Sequence, residues 1–218
     1  MLRVDQLDAF IERTQILRGV SLALPKGAMA GLIGRNGAGK TTLMRSIMGL
    51  LRSASGSIAI DGRDVSSAPA HRRAKLGVGY MPEDRRLIPE LTVEENILVP
   101  AWANAIPGFP ARLAWIYKLI PEVAAFAPRR ALQLSGGQQK LVALARALMA
   151  GEHLLLLDEP FEGIAPALAH RLVEVLHAIK AEGLSILLSE SDYTHSAGLV
   201  DKVYVIERGA VAEKPVAR

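Results

Sequence analysis

The sequence predicts an α/β fold: a mostly parallel sheet covered by helices on both faces, an N-terminal antiparallel β edge, and an inserted helical subdomain. Three observations predict it. Short apolar runs alternate with stretches of helical period, the pattern of parallel strands joined by crossover helices. The first runs instead alternate apolar and polar residues, as half-buried antiparallel strands do. Between Glu83 and Leu134 the character changes, with Pro89, Pro100, Pro107, Pro110, Pro121 and Pro128 and both tryptophans set among short helical pieces. A chain of 218 residues suits one domain with a sub-lobe. Residues 1–82 and 148–218 are expected to form the core, and about 83–147 the helical subdomain.

Taken in order, Leu2–Leu7 and Ile16–Leu24 read as the edge strands, with Pro25-Lys26-Gly27 as a turn. Ala28–Ile33 reads as a buried strand running into the glycine-rich stretch Gly34–Gly39, and Thr41–Leu50 as a helix closing near Gly49. Ser57–Ile60 reads as a short strand ending at the turn signal Asp61-Gly62. A helix over Pro69–Lys75 and a strand over Gly77–Tyr80 come next. Helical pieces at Val93–Leu98 and Arg112–Leu119 lie in the insertion. The helix Gly137–Ala150, strand His153–Leu157, helix Pro166–Ala181 and strand Leu184–Leu188 return to the core. A last turn of helix and the strands Lys202–Ile206 and Ala210–Ala212 complete the reading.

Half the residues are hydrophobic and 22% are charged, ample for a core and unlike a disordered chain. The formal net charge of +4 is small and scattered, which admits an anionic ligand without demanding nucleic acid. With no cysteine, disulfide scaffolds and thiol catalysis are excluded. The N-terminal residues lack the apolar stretch of a secretory signal, and no apolar run approaches the roughly 20 residues of a membrane-spanning helix. A cytoplasmic chain is expected, with any membrane role exercised through a partner.

Gly34-Arg-Asn-Gly-Ala-Gly-Lys40-Thr41 fits the P-loop pattern G-x-x-x-x-G-K-[ST], between a strand and a helix as that pattern requires. Its glycines let the backbone curl so that several N–H groups point at one anion, and the helix start adds its positive end. Lys40 supplies a point charge for the β- and γ-phosphates, and the Thr41 hydroxyl is placed to ligate Mg²⁺. Leu154–Leu157 is a buried strand that ends in Asp158-Glu159, and strand C-termini of a parallel sheet line the ligand crevice. Asp158 is thus expected in the Mg²⁺ shell, and Glu159 is expected to polarise a water in line with the γ-phosphate. Leu134-Ser-Gly-Gly-Gln138 opens a helix with a hydroxyl and exposed N–H groups. Local chemistry there leaves an ordinary serine cap and an anion site equally open.

Together these strings resemble the ABC-type ATPases, with the P-loop at Gly34–Thr42, the signature motif at Leu134–Gln138 and the acid-tipped strand at Leu154–Glu159. Tyr80-Met-Pro-Glu-Asp-Arg-Arg86, Leu91-Thr-Val-Glu-Glu-Asn-Ile97 and Glu162-Gly-Ile-Ala-Pro166 look like the branch serving branched-chain amino-acid importers, which urea and short-amide importers share. The resemblance implies ATP and Mg²⁺, with the nucleotide held by Gly34, Arg35, Asn36, Gly37, Ala38, Gly39, Lys40, Thr41 and Thr42 of one subunit. Ser135, Gly136, Gly137 and Gln138 of a second ATPase subunit, identical or homologous, would close over it. It also implies membrane permease subunits resting on the helical subdomain and a solute-binding protein. The expected location is the peripheral, cytoplasmic face of the membrane.

The sequence departs from that family in several places. Glu83 stands where most members carry a glutamine that senses metal and γ-phosphate; it is expected to ligate metal. Ser191 takes the place of the switch histidine, with His195 one helical turn further on as the other candidate. Ala165 replaces a loop aspartate, and either Phe10 or Ile11 occupies the adenine-stacking position. A non-transport ABC ATPase acting on nucleic acid or ribosomes is the alternative reading. Such proteins commonly carry coiled-coil inserts or paired cassettes, for which 218 residues leave no room. A P-loop kinase or GTPase would leave the signature motif without a purpose, and no guanine-reading Asn-Lys-x-Asp string is present.

Overall fold

The computed structural model describes residues 1–192 and 194–216. Two sheets form the framework. The N-terminal strands β1 (Leu2–Ile11) and β2 (Thr14–Leu24) pair with β4 (Ser53–Ile60) and the two-residue β5 (Arg63–Asp64) in an antiparallel sheet of order β2-β1-β4-β5. The second sheet has the order β10-β9-β3-β8-β7-β6, with β3 at Met29–Ile33, β6 at Val78–Met81 and β7 at Leu154–Asp158. Its remaining strands are β8 (Ser185–Glu190), β9 (Lys202–Glu207) and β10 (Ala210–Lys214). All its pairings are parallel except β10 on β9. The N-terminal β edge is therefore a sheet of its own.

The pleat of β7 explains its unbroken apolar run. Leu155 and Leu157 pack with helix α6 (Gly136–Ala150) and α7 (Pro166–Ala181), while Leu154 and Leu156 join Leu43, Met44 and Ile47 of α1 (Lys40–Met48) on the opposite face. Helix α1 thus lies between the two sheets. The insertion contributes α3 (Val93–Asn104), α4 (Phe109–Leu119) and α5 (Pro121–Phe126), whose buried faces share one core with α6 and β7. Helix α6 serves both regions, so the expected boundary near residue 147 falls inside a continuous helix. The short α2 (Ala70–Ala74) precedes β6.

Four details differ from the sequence reading. Helix α3 runs through Pro100 to Asn104, because Leu98 and Ala101 are buried in the shared core and this outweighs one lost backbone hydrogen bond. The helices α5 and the strand β5 are too short for periodicity to reveal. Strand β8 extends to Glu190, two residues beyond its apolar run. Between Asp192 and Asp201 the described residues form turns and no helix, with Leu199 N–H bonded to the Ser196 carbonyl at 2.9 Å.

Arginine side chains close the C-termini of the two helices that open at the glycine motifs. Arg73, almost wholly buried, donates to the Ser46 and Ile47 carbonyls of α1 at 2.9 and 2.7 Å and to Ala68 and Ser66 carbonyls at 2.8 and 3.1 Å. Arg112 of α4 donates to the Leu148 and Gly151 carbonyls at the end of α6, with its guanidinium 4.2 Å from the Trp115 ring centre. Both satisfy carbonyls that a helix end leaves unpaired and complement its negative pole. Arg73→Met is expected to lower unfolding stability by about 3 kcal/mol, since two buried and two part-buried carbonyls lose a charged donor at once. Urea unfolding checks this; an unchanged midpoint would show that the contacts contribute nothing net.

Candidate nucleotide-binding site

Strand β3 delivers the chain into the loop 34–39, and α1 carries it away. The turn is tight: a Cβ on Gly34 would sit 2.4 Å from the Ile206 carbonyl oxygen, and Gly39 holds φ 113°, a region side chains rarely adopt. The Ala38 N–H donates to the Arg35 carbonyl at 3.0 Å, and the Ala38 carbonyl accepts from Gly209 N–H at 3.0 Å, which fixes the loop against the β9–β10 turn. Lys40 folds back over this loop. Its Nζ donates to the Gly34 and Arg35 carbonyls at 2.5 and 3.1 Å and lies 2.9 Å from Glu159 Oε1, with the two side chains only 5% and 7% exposed.

The acids arrive from β7. Because β8 lies between β3 and β7, with Ile33 beside Glu190 and Asp158 beside Ser189, the three strand ends meet at one edge. Asp158 is fully buried and accepts from Ser189 Oγ at 2.7 Å, from the Tyr80 hydroxyl at 3.4 Å and from Thr41. Burial raises its carboxyl above the ordinary range, against the pull of those donors. Burial, with the nearby carboxylates Glu162, Asp158 and Glu159, raises Glu83 as well.

A groove of about 410 Å³ opens over the loop, lined by Asn36, Gly37, Gly39, Lys40, Thr41, Thr42, Glu83 and Glu159, with Ile11 and Ile16 at its apolar side. Of the two N-terminal candidates, Ile11 lines the groove; Phe10 pairs with Gln15 in the β1–β2 hairpin and is 40% exposed. Ser191 Oγ lies 2.8 Å from Asn36 Oδ1 and 3.0 Å from Glu159 Oε1, within reach of both for its single proton. His195 stacks on Phe161 with ring centres 5.1 Å apart, and borders an adjoining hollow of about 240 Å³ that also includes Ser191 and Glu159.

The Ser135 motif is elsewhere. Ser135 caps α6, accepting from Gln138 N–H at 3.3 Å while Gln138 Oε1 accepts from Ser135 N–H at 2.9 Å. None of Ser135, Gly136, Gly137 and Gln138 lines the groove over Lys40. Gly136 borders a different hollow, of about 390 Å³, with Glu83, Arg85, Lys140 and Glu162.

Residues that sequence reasoning left out also converge here. Ser189, Tyr80 and Lys140 each hold part of the acid pair or the loop after it. The signal available was a polar residue where burial was expected: Ser189 follows the apolar run of β8, and Lys140 sits within the apolar stretch of α6.

The ABC transporter family profile matches residues 17–162, most of the chain and all of the motifs just described. The chain belongs to this family. Its ATP-binding domains hydrolyse ATP to power transport, and the cassette is an ATPase of that kind. BraG of Pseudomonas aeruginosa, a high-affinity branched-chain amino acid transport ATP-binding protein, is 34% identical over 211 residues, covering 97% of the cassette and 91% of its own length. LptB of Acidithiobacillus ferridurans, of a lipopolysaccharide export system, is 31% identical over 97% of the cassette and 88% of itself. FbpC 1 of Rhodococcus jostii, an Fe(3+) ions import protein, is 37% identical over 97% of the cassette and 61% of itself. Among solved structures, a nucleotide-free ATP-binding cassette superposes with a TM-score of 0.87 at 27% identity, covering 100% of this chain and 92% of that one. Another cassette, solved in its ADP conformation, gives 0.84 at 27% identity, covering 97% and 89%.

Glu190 gives the site edge a pH dependence. Burial pushes its carboxyl up to about 7, opposed by the hydrogen bond it accepts from Ser196 and reinforced by the charges of Asp192 and Glu159. Against an ordinary value of 4.5, the folded chain keeps a proton that the unfolded chain has lost. The resulting stability is present below about pH 4.5 and lost as the pH rises through about 7. Glu190→Gln is expected to flatten that decline and to unfold at a higher temperature than wild type at pH 8. Thermal unfolding across the pH range checks it; parallel curves would contradict it.

Proposed function

We propose that the cassette binds Mg²⁺-ATP in the groove over Lys40 and hydrolyses it as the energy-coupling subunit of a membrane importer for branched-chain amino acids or related small polar solutes. The observation that carries the reading is the meeting of Lys40 and Glu159 at 2.9 Å, which puts a phosphate-binding cation and a proton-accepting carboxylate at one groove. The loop N–H groups of residues 34–42 and the start of α1 cradle the phosphates, with Lys40 on the β- and γ-phosphates. Ile11 and Ile16 offer the adenine an apolar wall.

In the hydrolytic step a water oxygen forms a bond to the γ-phosphorus while the bond to the β–γ bridging oxygen breaks. Glu159 accepts the water proton, and ADP leaves with inorganic phosphate. Ser191, in reach of Glu159 and Asn36, is placed to orient the water or the γ-phosphate. Thr41, Asp158 and Glu83 form a set of hard oxygen donors beside the phosphates, which fits Mg²⁺ held by few protein ligands and the nucleotide. When bound, the ion neutralises phosphate charge.

The separation of the Ser135 motif from the groove supports a head-to-tail dimer, in which Ser135, Gly136, Gly137 and Gln138 of a second ATPase subunit, identical or homologous, cover the nucleotide. No helix among the described residues is long and apolar enough to cross a membrane, so coupling would run through permease subunits resting on the helical subdomain. A solute-binding protein would complete the importer, with the cassette peripheral at the cytoplasmic face. BraG, covered over 91% of its own length against 88% for the lipopolysaccharide protein and 61% for the iron protein, supports branched-chain amino acids.

Glu159→Gln is expected to lower ATP turnover by about 100-fold or more while ATP still binds, and to tighten that binding because the carboxylate no longer competes for Lys40. Phosphate release and equilibrium ATP titration check both halves. Wild-type turnover in this variant would remove Glu159 as the base.

A further inference from the structure

Glu159 is held in an unusual conformation. Its φ of 50° lies in the left-handed region, which residues with a side chain rarely adopt. Such a conformation persists where its surroundings over-determine it, and here both backbone groups of Glu159 are gripped. The N–H donates to Ser189 Oγ at 3.1 Å and to the Ser189 carbonyl at 3.2 Å. The carbonyl accepts from Lys140 Nζ at 2.8 Å, and Lys140 also donates to the Glu162 carbonyl across the same turn. Ser189 gives its own proton to Asp158 Oδ1 at 2.7 Å, so one hydroxyl ties the two acids together.

All three residues are buried: Ser189 is 0% exposed, Glu159 5% and Lys140 7%. A buried lysine ammonium that forms no ion pair with a side chain among the described residues, and instead spends its donors on two carbonyls of one turn, is poorly explained by packing alone. Nor does the hydrolytic step use either Ser189 or Lys140. What they fix is direction. With the left-handed turn after β7, the Glu159 carboxylate lies 2.9 Å from Lys40 at the groove.

We infer that Ser189 and Lys140 are positioning residues of the hydrolytic step, clamping Glu159 from its N–H and carbonyl sides so that its carboxylate faces the phosphates. The inference deepens the proposed function and rests on the reading of Glu159 as the base. Lys140 stands within the first turns of the helix that Ser135 opens. The clamp therefore joins the helix that carries the glycine motif to the base of the same chain.

The test is steady-state ATP hydrolysis by the full chain carrying Ser189→Ala or Lys140→Met, with Ser189→Thr and Lys140→Arg as conservative counterparts. A misaimed base should lower kcat by about 10- to 100-fold with KM for ATP within about threefold of wild type, and the conservative variants should recover most of the loss. In a Glu159→Gln background neither substitution should lower the residual rate further, since there is no longer a base to aim. Should Lys140→Met fail to fold, Ser189→Ala, which deletes one oxygen, carries the test alone. If both variants keep kcat within twofold of wild type while Glu159→Gln is inactive, the clamp is overturned and the base reading stands. Equal losses with and without the Glu159 carboxylate would also overturn it, showing a structural role only. Wild-type turnover in Glu159→Gln would instead remove the base reading itself.

Discussion

Two side chains from distant parts of the sequence, the Lys40 ammonium and the Glu159 carboxylate, lie 2.9 Å apart in near-complete burial, and the site depends on that meeting. It is possible because a single strand, β8, separates the strands that deliver them, and parallel registers bring all three C-terminal ends to one edge. Burying an ion pair costs several kcal/mol per charge in lost hydration, so such a pair is weak evidence for stability. It is better understood as a reserve of unsolvated charge. On the proposed reading a triphosphate would compete with Glu159 for the ammonium, and a carboxylate displaced from it would be free to accept a proton. The same contact would then serve binding and chemistry.

The rest of the molecule packs around this edge. Helix α1 is pinned between two sheets, and Arg73 satisfies the carbonyls at its far end. Helix α6 begins at the Ser135 motif, crosses the face of the parallel sheet and is closed by Arg112 from the insertion. Because α6 packs on the insertion and on β7 in one core, a continuous helix links the Ser135 motif to the sheet edge. The Lys140 contact with the Glu159 carbonyl is where that helix touches the acid turn directly.

Much of this was legible in the sequence, for physical reasons that differ between elements. The glycine loop could be recognised because only glycine tolerates the approach of Gly34 to the Ile206 carbonyl and the φ of Gly39. The acid pair could be placed because an apolar strand ending in Asp158-Glu159 has one sensible position in a parallel sheet. The nearness of Ser191 to Glu159 was implied only by the family resemblance, since it follows from β8 lying between β3 and β7, an order that strand patterns do not encode. The full length of α3 was hidden by Pro100, whose local penalty is overridden by burial against the shared core. Ser189 and Lys140 were overlooked because their partners are backbone atoms of a turn whose conformation no residue type announced: Glu159 is not a residue that signals a positive φ.

If Lys40 is the ammonium that a triphosphate recruits, equilibrium binding of Mg²⁺-ATP must differ between wild type and Lys40→Ala. Lys40→Ala is expected to fold with unchanged secondary structure and to bind at least about tenfold more weakly, the loss of one charge-assisted contact of about 1.5–3 kcal/mol. Equal affinities in a folded Lys40→Ala chain would contradict it.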